Sequence, residues 1–169
     1  MAERSEVVVI GAGQAGLATS RELTRAGVGH VVLERGRVGE TWRGRWDSFC
    51  LVTPNWSVQL PGGLYDGDDP DGFMQRDEIV AYLERYASTS GAPLRTGVDV
   101  TSLSPSPDGF VLETTAGEIR ASSVVAATGT YRRPHRPAAA ATLPASVAQL
   151  DAEDYRSPDR LPQIGRAHV

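Results

Sequence analysis

The sequence predicts an α/β fold: a parallel sheet with helices that carries an antiparallel β-meander as an insertion. Three observations predict it. Val7 to Ile10 is a short, wholly apolar run, as a strand buried on both faces would be. Gly11-Ala12-Gly13-Gln14-Ala15-Gly16 follows it directly and opens a helical stretch. A second apolar run, Val31 to Leu33, then ends on the acidic Glu34. Strand, glycine turn, helix, strand and terminal acid make up the Rossmann-like βαβ unit.

The remaining elements follow in order. The first helix reaches about Ala26, with Gly16, Ser20 and Leu23 on one face and Gly27 as its C-terminal stop. Residues 36–75 are irregular and rich in Gly, Pro, Trp and Asp, a length that usually signals function. Asp77 is placed to cap a helix from Glu78 to about Ser88, with Ile79, Val80, Leu83, Tyr86 and Ala87 as its apolar stripe and Gly91 as its end. Leu94 to Leu103, Gly109 to Thr114 and Glu118 to Arg120 read as three short strands of a meander, with Pro-Asp-Gly and Ala-Gly at the turns. Val124 to Ala127 reads as another buried parallel strand, stopping at Thr128-Gly129.

Composition removes several functions. The 169 residues carry a net charge of −4, which gives no overall field toward nucleic acid. All 17 basic residues are arginine, so a Walker lysine and a Schiff-base lysine are both excluded. Cys50 is the single cysteine, which rules out an internal disulfide or a CxxC pair and fits a reducing cytoplasm. His30, His135 and His168 have no metal-ligand spacing, and no metal site is expected. No signal peptide or membrane span is read.

The glycine motif has a physical logic. Gly11 allows the tight turn, Gly13 lets a pyrophosphate approach the backbone, and Gly16 lets helix and strand pack closely. The phosphates would rest on the helix N-terminus at Gln14 and Ala15, and Glu34 would accept hydrogen bonds from ribose hydroxyls. An acid there favours a ribose without 2′-phosphate, hence FAD or NAD. The motif alone does not choose between them.

The rest of the chain resembles the two-dinucleotide flavoproteins, in which a meander is inserted and a second, Ala-Thr-Gly motif touches FAD. That resemblance places Ala127, Thr128 and Gly129 against the flavin nucleotide and Val100 against the adenine through its backbone. It narrows to the flavin-containing monooxygenases and their Baeyer–Villiger relatives. Gly39-Glu40-Thr41-Trp42-Arg43 looks like their GGTW segment, with Glu40 in place of the second glycine. Arg45-Trp46-Asp47, Leu51-x-Thr53-Pro54-Asn55, Leu60-Pro61-Gly62, Arg76-Asp77-Glu78, Tyr82-Leu83-x-x-Tyr86-Ala87 and Thr128-Gly129-x-Tyr131 continue the match over about residues 5–163. The family's Phe, Gly and His fingerprint positions hold Ala145, Val147 and Asp151 here, and only its aromatic end survives, as Tyr155. The chain is therefore more similar to the bacterial oxidoreductases around these subgroups.

The resemblance implies an FAD-dependent, NADPH-using oxidoreductase, a monooxygenase that inserts one oxygen atom from O2 into a small-molecule substrate through a C4a-peroxyflavin. Cofactor-binding residues carried over are Gly11, Gly13, Gln14, Ala15, Gly16, Glu34, Arg35, Thr41, Trp42, Val100, Ala127, Thr128 and Gly129. Trp42 and Trp46 are either flavin-cavity residues or packing aromatics. Asn55 is a candidate polar group at the flavin's reactive edge, or a turn former beside Pro54. Two alternatives stay open: a pyridine nucleotide-disulfide or ferredoxin reductase-like flavoprotein, and a non-catalytic FAD- or NAD-binding module. Residues 1–137 would form the FAD-binding domain and 138–163 the start of a connection to an NADPH-binding domain. Residues 164–169 match one reading frame of a sequencing adapter and are expected to be non-native. With its second half missing, the two-dinucleotide fold would be incomplete: inactive alone, with an exposed edge on its sheet.

Overall fold

The computed structural model describes residues 3–130 and 134–161. Tyr131 and the expected adapter-like tail lie outside those residues.

The chain opens with β1 (Glu3–Ile10), α1 (Gln14–Arg25) and β2 (His30–Glu34). The 36–75 region holds a single helical turn, α2 (Glu40–Arg43), a 3-10 turn at Asn55–Ser57, and a minimal hairpin of β3 (Gln59–Leu60) and β4 (Gly63–Leu64). Then come α3 (Arg76–Thr89), β5 (Leu94–Thr96), β6 (Val100–Ser106), β7 (Gly109–Thr114) and β8 (Gly117–Ala126). Two further 3-10 turns, Ala138–Thr142 and Pro158–Arg160, lie in the closing segment.

One six-stranded sheet runs β5-β2-β1-β8-β7-β6. β5, β2, β1 and β8 are mutually parallel, and β8, β7 and β6 form the antiparallel meander. The predicted α/β class, the βαβ start and the meander turns are all present.

Three boundaries differ from the sequence reading. The stretch 94–103 is not one strand. Gly97 adopts φ +72°, and its N–H donates to Gly36 O while Val98 N–H donates to Glu34 O. That break leaves β5 on the outer edge beside β2 and lets β6 start a separate run. Glu118–Arg120 and Val124–Ala127 are not two strands either. They belong to one strand, β8, whose first half pairs with β7 and which pairs with β1 from Ile119 to Ala126. The serines at 122 and 123 hid this continuity from a pattern based on apolar residues. Finally, α3 begins at Arg76, with Gln75 and not Asp77 at its cap. Glu78 reaches back to accept from Gln75 N–H at 2.7 Å, while Asp77 is taken by Arg76 Nε at 2.8 Å.

Alternation along the strands sends side chains to two cores. Val7, Val9 and Val32 face the helices and pack with Leu17 of α1 and Ile79 and Leu83 of α3. Val8, Val31 and Leu33 face the other way and pack with Leu112, Ile119 and Ala121 of the meander. Val8 and Leu33 are buried although no helix joins that cluster, so the meander covers this face. The stripe expected on α3 is buried as read, with Tyr82 added.

β8 is not buried along its whole length. Its pairing with β7 stops at Phe110↔Ala121. From Ser122 to Ala126 it pairs only with β1, and no strand among the described residues takes its other edge. Ser122, Ser123 and Ala126 are exposed.

The stop has a local cause at Gly109, which has φ +126° and no room for a Cβ against Ala121 O and Ser122. Gly109→Ala should therefore cost about 2 kcal/mol or more in chemical denaturation, from combined backbone strain and overlap. A loss below about 0.5 kcal/mol would show that the hairpin tip is not held against β8 as described.

Candidate dinucleotide-binding site

The glycine turn is built by contacts that each glycine alone permits. Gly11 has φ +103°, and a Cβ on it would meet Ala127 O at 2.5 Å. Its N–H donates to Leu33 O at 2.8 Å, tying the turn to the end of β2. Gly16 is tighter still: a Cβ there would overlap the Gly11 carbonyl oxygen and touch Ala127 Cβ. α1 can therefore lie directly on the turn. Gly13 is the opposite case, since a Cβ there would meet nothing within 4 Å. Its missing side chain serves open space outside the protein, where a ligand would approach.

That space faces the start of α1. Gly13 is the N-cap residue and offers no side chain, and the first turn carries no acid. Leu17 N–H is the first to find an intrahelical acceptor, Gly13 O, at 3.0 Å. The amides of Gln14, Ala15 and Gly16 point out of the helix end, where the helix dipole favours an anion.

Glu34 stands at the rim. Its Oε2 accepts from Ala12 N–H at 2.8 Å and its Oε1 from Gly36 N–H at 2.9 Å. Each oxygen keeps acceptor capacity for a ribose hydroxyl. Arg35 is exposed beside it. The Val98 N–H to Glu34 O bond at 3.0 Å ties the segment leading into Val100 to the backbone at the end of β2. On the other side, Ala127 N–H donates to Ile10 O at 2.9 Å, and Thr128 and Gly129 follow, exposed, next to the Gly11 turn. Gly11, Gly13, Gln14, Ala15, Gly16, Glu34, Ala127, Thr128 and Gly129 thus border one end of the parallel sheet, at the carboxyl ends of β1, β2 and β8. Dinucleotides occupy that position in open α/β sheets. Val100 opens β6 opposite Thr114, two residues after Val98.

The GGTW-like segment lies farther along. Gly39, with φ +73°, turns the chain into α2, and Thr41 is exposed on it. Glu40 replaces a glycine without strain because its side chain curls back. Its Oε2 accepts from Arg37 N–H and Arg37 Nε, each at 3.2 Å. The hydrogen bond from the Arg37 guanidinium holds the Glu40 carboxyl below its usual pKa. Trp42 and Trp46 are half-buried in one aromatic cluster. Phe49 lies 5.6 Å from Trp42 and 4.8 Å from Trp46, and Tyr155 stands 6.2 Å from Trp46. Both rings thus pack against neighbouring aromatics while each keeps part of its surface open.

Asn55 is buried, and its amide is committed to the loop. Nδ2 donates to Asp69 O at 2.8 Å, and Oδ1 accepts from Met74 N–H at 2.6 Å. It braces the 55–74 loop, and this geometry adds nothing toward a place at a reactive edge. Tyr82 and Tyr86 read in the sequence only as helix residues, and what that reading missed is that their hydroxyls donate to Gly63 O and Pro61 O and pin the β3–β4 hairpin to α3. Their i, i+4 spacing beside Pro-Gly-Gly was the available signal. It also missed Tyr155 and Arg156 as a return contact: Arg156 O accepts from Asp47 N–H at 2.8 Å.

The glycine geometry separates two substitutions. Gly16→Ala should cost about 3 kcal/mol or more, because backbone would have to move. Gly13→Ala should cost at most about 1 kcal/mol, the usual difference between these residues at an N-cap. Equal losses in thermal or urea unfolding of the ligand-free chain would contradict the turn as described.

Comparison with known proteins agrees with this architecture. The family model for the pyridine nucleotide-disulphide oxidoreductases matches residues 8–157. An uncharacterized CzcO-like oxidoreductase of Geobacillus kaustophilus is 38% identical over 157 residues, 92% of this chain and 45% of its own length. The indole-3-pyruvate monooxygenase YUCCA1 of Oryza sativa subsp. japonica is 33% identical over 77% of this chain and 33% of its own. The solved flavin-containing monooxygenase of Stenotrophomonas maltophilia superposes with a TM-score of 0.72 at 28% identity, covering 80% of this chain and 41% of that one. The chain thus spans less than half the length of the curated relatives it matches. Among the described residues, no helix is long and apolar enough to cross a membrane, and no group of side chains is suited to a metal. The chain belongs to the pyridine nucleotide-disulphide oxidoreductase family, with flavin monooxygenases among its relatives.

Proposed function

We propose that this chain supplies the FAD-binding part of an NADPH-dependent flavin monooxygenase that acts on a small molecule. The observation that carries the reading is the open face at Gly13. It stands over an uncapped helix N-terminus, with the Glu34 carboxylate at one side and Ala127 to Gly129 at the other. A pyrophosphate fits the first, a ribose the second, and the rest of the nucleotide the third.

The residues divide the work of binding. Gln14, Ala15 and Gly16 offer backbone amides to the diphosphate. Glu34 accepts from the ribose, with Arg35 beside it and the Val98–Val100 backbone along the adenine. Thr128 and Gly129 flank the nucleotide on the β8 side, and Thr41 and Trp42 on the α2 side. FAD, once reduced by NADPH, would supply the activation of O2 and the transfer of one oxygen atom. The protein supplies orientation and a dry surface. Residues up to about 137 form the FAD unit, and 138–163 begin the connection toward the NADPH site. No second glycine-rich turn of this kind follows Gly129 in the sequence.

The monooxygenase reading draws on the YUCCA1 and Stenotrophomonas relatives. The reductase reading has the family's description behind it, but Cys50 is the chain's single cysteine and is exposed, so the chain brings no cysteine pair for disulfide exchange.

In a protein that joins this chain to a second half like that of its relatives, Gly13→Val should leave the fold intact and abolish flavin content. A yellow variant with unchanged FAD would overturn the site. In the same protein, reduced flavin mixed with O2 should pass through a transient spectrum distinct from both end states. Direct reoxidation, with hydrogen peroxide formed in step with NADPH for every substrate tried, would favour the reductase.

A further inference from the structure

We propose that Glu34 is a positioning residue as well as a ribose acceptor. Its carboxylate holds the glycine turn in binding form before any nucleotide arrives. Three sets of hydrogen bonds meet at this residue. Ala12 is fully buried, and its N–H finds its acceptor in Glu34 Oε2 at 2.8 Å. A buried amide without a partner is costly, so this bond fixes where the turn can lie. Glu34 Oε1 meanwhile accepts from Gly36 N–H at 2.9 Å, which bends the chain back just after β2. The backbone on either side repeats the tie: Gly11 N–H donates to Leu33 O at 2.8 Å and Val98 N–H to Glu34 O at 3.0 Å. One side chain therefore joins the glycine turn, the end of β2 and, through its own backbone, the entrance to the meander. Those are three of the walls assigned above to the nucleotide.

The carboxylate form is required by the chemistry. Two backbone donors point at one side-chain head, and a carboxylate offers two acceptors while an amide offers one acceptor and one donor group. Glu34→Gln preserves size and shape but sets an NH2 against either Ala12 N–H or Gly36 N–H. Glu40 adds a second layer: its side chain lies across Gly36, whose Cβ would meet Glu40 Cγ at 2.8 Å, while its carboxylate accepts from Arg37 N–H. The turn after β2 is thus held by carboxylates from both ends.

The inference rests on the FAD reading for its use, but its test does not. Amide hydrogen exchange is read residue by residue in the nucleotide-free, full 169-residue chain. Ala12 and Gly36 should be protected in the unmodified chain. In Glu34→Gln at least one of them should exchange on the order of tenfold faster relative to Gly11, whose acceptor is a backbone carbonyl and serves as internal control. Unprotected Ala12 and Gly36 in the unmodified chain would overturn the proposal without any variant. So would unchanged rates in a folded Glu34→Gln protein. FAD titration of the same two proteins decides the other question. Loss of affinity with unchanged exchange would leave the ribose contact alone. Altered exchange in a chain that never binds FAD would keep the clasp and reject the FAD reading.

Discussion

The closeness of Gly16 to the Gly11 carbonyl is the constraint on which the site depends. Because no side chain stands between them, α1 rests directly on the turn that leaves β1. That places the first helical turn at the carboxyl end of the parallel strands and aims its amides at the space beside Gly13. The same contact admits Ala127, whose Cβ lies 3.5 Å from where a Gly16 Cβ would be. Two distant segments, residues 11–16 and 127–129, are thereby brought to one place. A larger residue at 16 would separate helix from turn and turn from strand together.

β8 couples this site to the second core. It carries Ile119 and Ala121 in the meander cluster, then continues beside β1 to deliver Ala127. The meander is therefore not a detachable insert. Its third strand and the strand that borders the candidate site are one piece of backbone, so packing around Leu112 and Ile119 sets the position of Thr128 and Gly129. The 36–75 region is positioned differently, by polar brackets. Asn55 holds the backbone at Asp69 and Met74, Tyr82 and Tyr86 hold the β3–β4 hairpin, and Arg76 Nη1 donates to Arg45 O at 3.3 Å.

What could be read from the sequence was what repeats locally. The apolar run at Val7 to Ile10, the three spaced glycines, the acid ending β2 and the stripe from Ile79 to Ala87 are short-range patterns, and each became the element expected. Two of the three misread boundaries involve partners far along the chain, and the third, at the start of α3, is decided by immediate neighbours. Gly97 breaks a strand because its amide is claimed by Gly36, sixty-one residues earlier. Ser122 and Ser123 sit in a strand because β1 pairs with Ala121 and Ser123 on either side of Ser122, not because of their own propensity. Asp77 loses the cap because Arg76 takes it and Glu78 is better placed. At the candidate site, the close packing at Gly11 and Gly16 was legible because it is backbone chemistry. Asn55, Trp42 and Trp46 were ambiguous because whether a polar or aromatic group serves packing or a ligand is decided by neighbours such as Met74, Phe49 and Tyr155.

The central claim is that the first turn of α1 seats the diphosphate of FAD. Backbone amide shifts of the ¹⁵N-labelled chain during titration with FAD test it most directly, with NADP as the comparison nucleotide. The account predicts saturable shifts centred on Gly13, Gln14, Ala15 and Gly16, with a second group at Thr128 and Gly129 and a weaker response to NADP. Saturable binding with its largest shifts elsewhere in the chain, or an equal response to both nucleotides at these residues, would contradict it.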